Sequence, residues 1–193
     1  MQVRLLALVA AVGAIAAMNA CGDPTAIKAQ FDNADRPNLT LYALNGTLPS
    51  LPSAIQIRAA STTRVDASFN FDVAFDIDTS GKVLAYPVRA VAAEFVGAHQ
   101  VGLLQTDKSF DDALTAPTGG YKYDSVMVVP VGKTVFVDVI DRNSCSIYSL
   151  LGQQIKAKFV IDSVNTSSRR VFVHLLANQN CGFKSLVKGE PKD

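Results

Sequence analysis

The sequence predicts an all-β domain: a single antiparallel β-sandwich, or a partly closed barrel, with one short helix. Three observations carry this. Apolar and polar residues alternate with period two along much of the 193-residue chain. Gly, Pro, Asn, Asp and Ser clusters punctuate those runs at short spacing. No strand–helix–strand alternation, sustained heptad or fixed-period repeat accompanies them, so about eight to ten short strands are left to pack face to face.

Residues 1–20 read as an export signal. Arg4 supplies a basic start, Leu5 to Met18 is uncharged and apolar, and Ala20 is a small residue at the cut. The apolar stretch is shorter than the roughly 20 residues a membrane span needs. Met18-Asn19-Ala20-Cys21 resembles a bacterial lipobox, which makes Cys21 the expected lipidation site. Plain secretion, with a cut near Ala16 or Ala17, is the alternative. Stable anchoring takes more than one acyl chain, which a lipoprotein cysteine carries. The expected address is therefore the bacterial cell envelope, held to the membrane by the N-terminal lipid; without the lipid it is secreted or periplasmic. Gly22, rather than Asp, after Cys21 favours the outer membrane where a cell has two. Residues 21–36 are polar and irregular, a flexible tether with a mean reach of roughly 20 Å. The sandwich is expected over 37–193.

Within it, Leu39–Leu44 is a first strand, closed by Asn45-Gly46. Thr47–Pro52 is a loop and Ala54–Arg58 a second short strand. Phe69–Asp78 is the clearest alternation. Phe69, Phe71, Val73, Phe75 and Ile77 share one side, and a row containing Asp72, Asp76 and Asp78 shares the other, which reads as a solvated face. Thr79-Ser80-Gly81 turns the chain into Lys82–Tyr86. Val88–Val96 fits helical spacing and an edge strand equally. Val101–Gln105 is a strand. Ser109-Phe-Asp-Asp112 has the form of an N-cap and predicts a short helix to about Thr115. Gly119-Gly120 marks a turn, with Tyr121 and Tyr123 read as hairpin packing. Asp124–Val131 and Thr134–Asp141 flank Gly132-Lys133 as a hairpin. Ile155–Val164 and Arg169–Ala177 flank 165–168 as a second hairpin. In its first strand Ile155, Ala157, Phe159 and Ile161 form the buried face, with Lys156, Lys158 and Asp162 outside. Its partner, apolar on both sides, reads as a central strand.

Arg4 is the one charge before Cys21, so the 18 basic residues become 17 against 17 acidic in the exported chain. That neutrality argues against a nucleic-acid binder or a polybasic membrane module. With Cys21 assigned to lipid, Cys145 and Cys181 remain as an even pair, the expected disulfide of an exported protein. Closing its loop contributes roughly 3–4 kcal/mol by chain-entropy reasoning.

Candidate chemistry is sparse. Asp76, Asp78 and Ser80, followed by Gly81, resemble the start of a calcium loop, but Pro87 stands where a bidentate Glu belongs. Turn chemistry explains the same residues, and no metal is expected. His99 lies in a loop-like stretch; His174 lies on a strand beside Phe172 and Leu176. His174 reads as a packed, hydrogen-bonded histidine, with axial haem ligation as the alternative; His99 and His174 are the candidate cofactor-binding residues. No G-x-S-x-G elbow or cysteine-protease context occurs, and Trp is absent.

Gly132-Lys-Thr-Val-Phe-Val-Asp-Val139, Ile155-Lys-Ala-Lys-Phe-Val-Ile161 and Arg170-Val-Phe-Val-His-Leu175 resemble the C-terminal strands of HmuY-like haem-binding lipoproteins. The resemblance covers about a third of the exported chain. It implies an all-β, lipid-anchored protein that holds haem through two histidines, a ligand set onto which neither His99 nor His174 aligns. The expected function is a non-catalytic envelope lipoprotein without cofactor, acting as a binding or structural module toward another envelope protein or a small ligand. A haem-like carrier is the first alternative and a secreted hydrolase the second.

Overall fold

The computed structural model describes residues 27–94, 99–140, 145 and 152–191. Cys21, with the signal and the first part of the tether to residue 26, lies outside the described residues. The period-two segments form two antiparallel sheets packed as a sandwich. One sheet has six strands in the order β1-β11-β10-β9-β6-β7: β1 is Ala34–Tyr42, β6 Gln100–Thr106, β7 Lys122–Tyr123, β9 Thr134–Ile140, β10 Gln154–Asn165 and β11 Arg170–Asn178. The other has five, β3-β2-β4-β5-β8: β2 is Ala54–Gln56, β3 Ser61–Thr63, β4 Val73–Ile77, β5 Val83–Pro87 and β8 Met127–Val129.

The alternation decides what lies between the sheets. Val135, Val137 and Val139 of β9, Ile155, Ala157, Phe159 and Ile161 of β10, and Val171, Val173 and Leu175 of β11 all join one core with Val73, Phe75 and Ile77 of β4. Phe75 and Phe159 meet edge to face across the sandwich, 5.5 Å between centroids. Such a contact adds about 0.5–1.5 kcal/mol beyond its area.

The β10–β11 hairpin forms as the pattern predicts, with Asn165 opposite Arg170. Other elements differ. β1 begins at Ala34 and pairs with β11 from there, so the end of the expected tether is already part of the fold. Further back, the backbone amides of Gln30 and Phe31 donate to Asn180 Oδ1. The expected Phe69–Asp78 strand is shortened to Val73–Ile77. Asp66 accepts from the amide and hydroxyl of Ser68, and Phe69 adopts φ +48, so the chain turns before it extends. Asp72 and Asp76 are buried rather than solvated.

Met127–Val129 and Thr134–Ile140 do not form a hairpin. β8 pairs with β5, and β9 with β6 and β10. Pro130 has no N–H to extend β8, and the turn at 130–133, with Gly132 at φ +79, carries the chain across to the other sheet. The short helix is α1, Val88–Ala92, not Ser109–Thr115. At Ser109 the cap forms, with the Asp112 amide donating to Ser109 Oγ at 3.1 Å, but a single turn follows. Beyond it the backbone bonds to the C-terminal segment: the Ala116 amide donates to Lys184 O and the Leu186 amide to Leu114 O.

Candidate functional site

The centre of the outward face of the six-stranded sheet is not open to solvent. Residues 107–121 and 182–189 lie over it, joined by the Thr115–Ser185 bridge, and enclose a second small core of Ala113, Ala116, Tyr121, Phe136, Leu176 and Leu186. The face beneath that cover carries charge. Lys156 and Lys158, expected outside, are each 2% exposed, and Asp138 is fully buried.

Strand register explains the grouping. Lys156 sits opposite Asp138, Asp138 opposite Gly102, and Gly102 opposite Tyr123, so one rung runs across β10, β9, β6 and β7. Lys156 Nζ lies 2.9 Å from Asp138 Oδ1 and 4.7 Å from the centre of the Tyr121 ring. The Tyr123 hydroxyl donates to Asp138 Oδ2. Gly102 makes that reach possible. A Cβ there would stand 2.7 Å from Tyr123 Cε1 and 2.8 Å from Tyr121 Cβ, closer than side-chain carbons approach. Burial, the Asp138 hydrogen bond and its charge all push the Tyr123 phenol above its ordinary range; burial and Asp138 do the same to Tyr121. Both phenols therefore stay protonated.

One rung along, Lys158 Nζ donates to the carbonyls of Phe110 and, at 3.1 Å, Ala113. It thereby ties the truncated Ser109 turn to the sheet. Burial holds its ammonium below the ordinary lysine range. Phe110 in turn stacks on His174, centroids 4.1 Å apart. His174 Nε2 is hydrogen-bonded to Asp35 Oδ1, and Lys188 Nζ stands 3.2 Å from Asp35 Oδ2. Partial burial raises the Asp35 carboxyl, but His174 and Lys188 outweigh it and hold it below the usual range.

The other candidate residues lie elsewhere. His99 Nε2 is 2.8 Å from Asp72 Oδ1, while Asp72 Oδ2 accepts from the Ile57 amide. The two histidines thus belong to separate networks around different carboxylates. Asp76 accepts from Asn45 and Arg169. Asp78 Oδ1 accepts instead from the amides of Ser80 and Lys82 and from the Ser80 hydroxyl, an Asx-type turn. The calcium-like residues are put to separate uses, and among the described residues no group of three or more His, Cys, Asp or Glu could hold a metal ion. Cys145 and Cys181 are bonded, with Cα atoms 5.8 Å apart.

Where β7 passes into β8 the edges of both sheets meet around a half-open cleft of about 390 Å³, lined by Leu103, Leu104, Lys122, Ser125 and Met127 among others. Val126 and Val128 are half exposed along its rim.

The Asp138–Lys156–Tyr123 rung is not among the residues that the sequence pattern singles out. The available signal was Asp138 itself, a lone carboxylate inside Thr134–Ile140, a strand otherwise nearly all apolar or β-branched. A charge in such a run requires a partner, because burying it alone is prohibitive.

Comparison of the chain with known families, with curated proteins and with solved structures finds no significant match.

Proposed function

We propose that this chain is a non-catalytic cell-envelope lipoprotein, anchored through Cys21, whose sandwich acts as a binding or structural module. The observation that carries the reading is the use of charged side chains as ties between distant segments. Arg169 joins the β10–β11 turn to β4 through Asp76. Lys158 joins β10 to the Ser109 turn, and His174 joins β11 to β1 through Asp35. A general acid or base must reach a substrate proton; these groups are committed to protein atoms.

Two further observations support the address. The lipobox-like Met18–Cys21 puts a cysteine at the expected acylation position, and the Cys145–Cys181 bond suits an oxidising compartment. The half-open cleft at the β7–β8 edge is the surface the module offers to a partner or small ligand.

The test is a pair of measurements on the purified protein. Haem titration is expected to leave the Soret region unchanged in wild type and in His174→Ala alike. A fluorophosphonate probe for hydrolases is expected to label nothing. A Soret band lost in H174A would replace this reading with a haem carrier, and a labelled serine would replace it with a hydrolase.

A further inference from the structure

Lys156 and Asp138 are adjacent on paired strands, both almost wholly buried, with the amine 2.9 Å from the carboxylate oxygen. Yet neither Lys156 Nζ nor Asp138 Oδ1 has a partner in hydrogen-bond geometry. The amine touches the carboxylate without being seated on its oxygen as a donor. The pair takes two charges out of water, and apart from the Tyr123 hydroxyl on Asp138 Oδ2 and the Tyr121 ring beside the amine it lacks the directed hydrogen bonds that offset that cost. Condensation of the two groups would remove both charges.

We propose that Lys156 and Asp138 are joined by an intramolecular isopeptide bond, Nζ to Cγ, formed after folding with loss of one water. The step balances without any co-reactant. A proton passes from the ammonium to Asp138 Oδ1, giving a neutral amine and a carboxylic acid. The amine lone pair attacks Cγ. Negative charge builds on Oδ2, where the Tyr123 hydroxyl already donates a hydrogen bond; a positioned donor at a developing oxyanion is the arrangement that stabilises such a step. Nitrogen gives up a second proton to Oδ1, the Cγ–Oδ1 bond breaks, and Oδ1 leaves as water. Proximity in a fixed register supplies the rest, since two groups held in contact react as one molecule. The cover formed by residues 107–121 and 182–189 keeps bulk water from reversing the reaction. The cross-link would fasten β9 to β10 near the sheet centre, complementing the Cys145–Cys181 bond on the same part of the chain.

Intact-mass spectrometry tests this on the wild-type protein and on Lys156→Arg, purified from the same host, denatured and reduced. N-terminal processing is shared and cancels in the comparison. The expected result is a wild type lighter by one water than its own sequence and N-terminus require, with K156R at its full mass. Collisional fragmentation of the wild type is expected to yield no separated backbone fragments between residues 138 and 156. A wild type at full mass, with a continuous fragment ladder through that stretch, would overturn the proposal. The wild-type measurement decides the matter even if K156R fails to accumulate, because mass is read on the denatured chain.

Discussion

Arg169 crosses the sandwich to Asp76. It sits at φ +49 in the turn between β10 and β11, and its Nη2 lies 3.1 Å from Asp76 Oδ1 and 2.7 Å from the Ile77 carbonyl, on a strand of the other sheet. Its Nε also donates to the Asn45 carbonyl. One side chain thus closes the end of the sandwich by binding three points that the core alone leaves polar.

Removing it leaves Asp76, 5% exposed, with a charge and only its Asn45 and backbone bonds. Arg169→Ala is expected to lower unfolding free energy by about 1–3 kcal/mol, less than a fully buried pair because the guanidinium is partly exposed. Urea denaturation measures it. Adding Asp76→Asn should recover part of the loss, since the stranded charge is then gone.

Gly102 answers to a different constraint. Gly102→Ala places a carbon where the Tyr121 and Tyr123 side chains run. Overpacking of this kind costs about 1–3 kcal/mol. If it acts by lifting Tyr123 from Asp138, the effects of G102A and Tyr123→Phe on thermal stability are less than additive. Full additivity would place the damage elsewhere.

Acid should loosen the β1–β11 contact. The Asp35 carboxyl is held low in the folded chain, so the unfolded chain takes up its proton first as pH falls. The stability from Asp35 is therefore present above the ordinary Asp pKa of about 4 and is lost as pH falls through the lower folded value. Denaturation midpoints across pH 2–6 are expected to fall less steeply in Asp35→Asn. An unchanged slope contradicts the assignment.

Alternation made the strands legible in the sequence, and cysteine parity made the Cys145–Cys181 bond legible once Cys21 was set aside. Alternation tells which residues share a face; it does not tell whether that face is covered. Alternation puts Lys156 and Lys158 on the side away from Ile155, Ala157 and Phe159, where the structure has them, but that side is buried rather than in water. The cover comes from residues 107–121 and 182–189, irregular segments whose backbone bonds run to each other, to the main chain of Asn33 and Gln154, and to side chains such as Lys158, Asn178 and Asn33. No periodic signal announces such a layer. Gly132-Lys133 shows the same limit for turns: the turn is real, but local chemistry does not say which sheet the next strand joins.

The cover depends on Lys158. Lys158→Met keeps the aliphatic stem and removes the donor to Phe110 and Ala113. Hydrogen–deuterium exchange is expected to rise at the amides of Ala113, Ala116 and Leu186, while β10 and β11 keep their protection. Equal exposure of sheet and cover would mean that they open as one unit.

Anchoring of the sandwich to a membrane through Cys21 is proposed from the lipobox-like Met18–Cys21. The decisive measurement is mass spectrometry of the mature N-terminus, from protein expressed in a bacterium with its own signal. The expected chain begins at Cys21 and carries the acyl groups of a lipoprotein. An unmodified peptide containing a free Cys21 would contradict it.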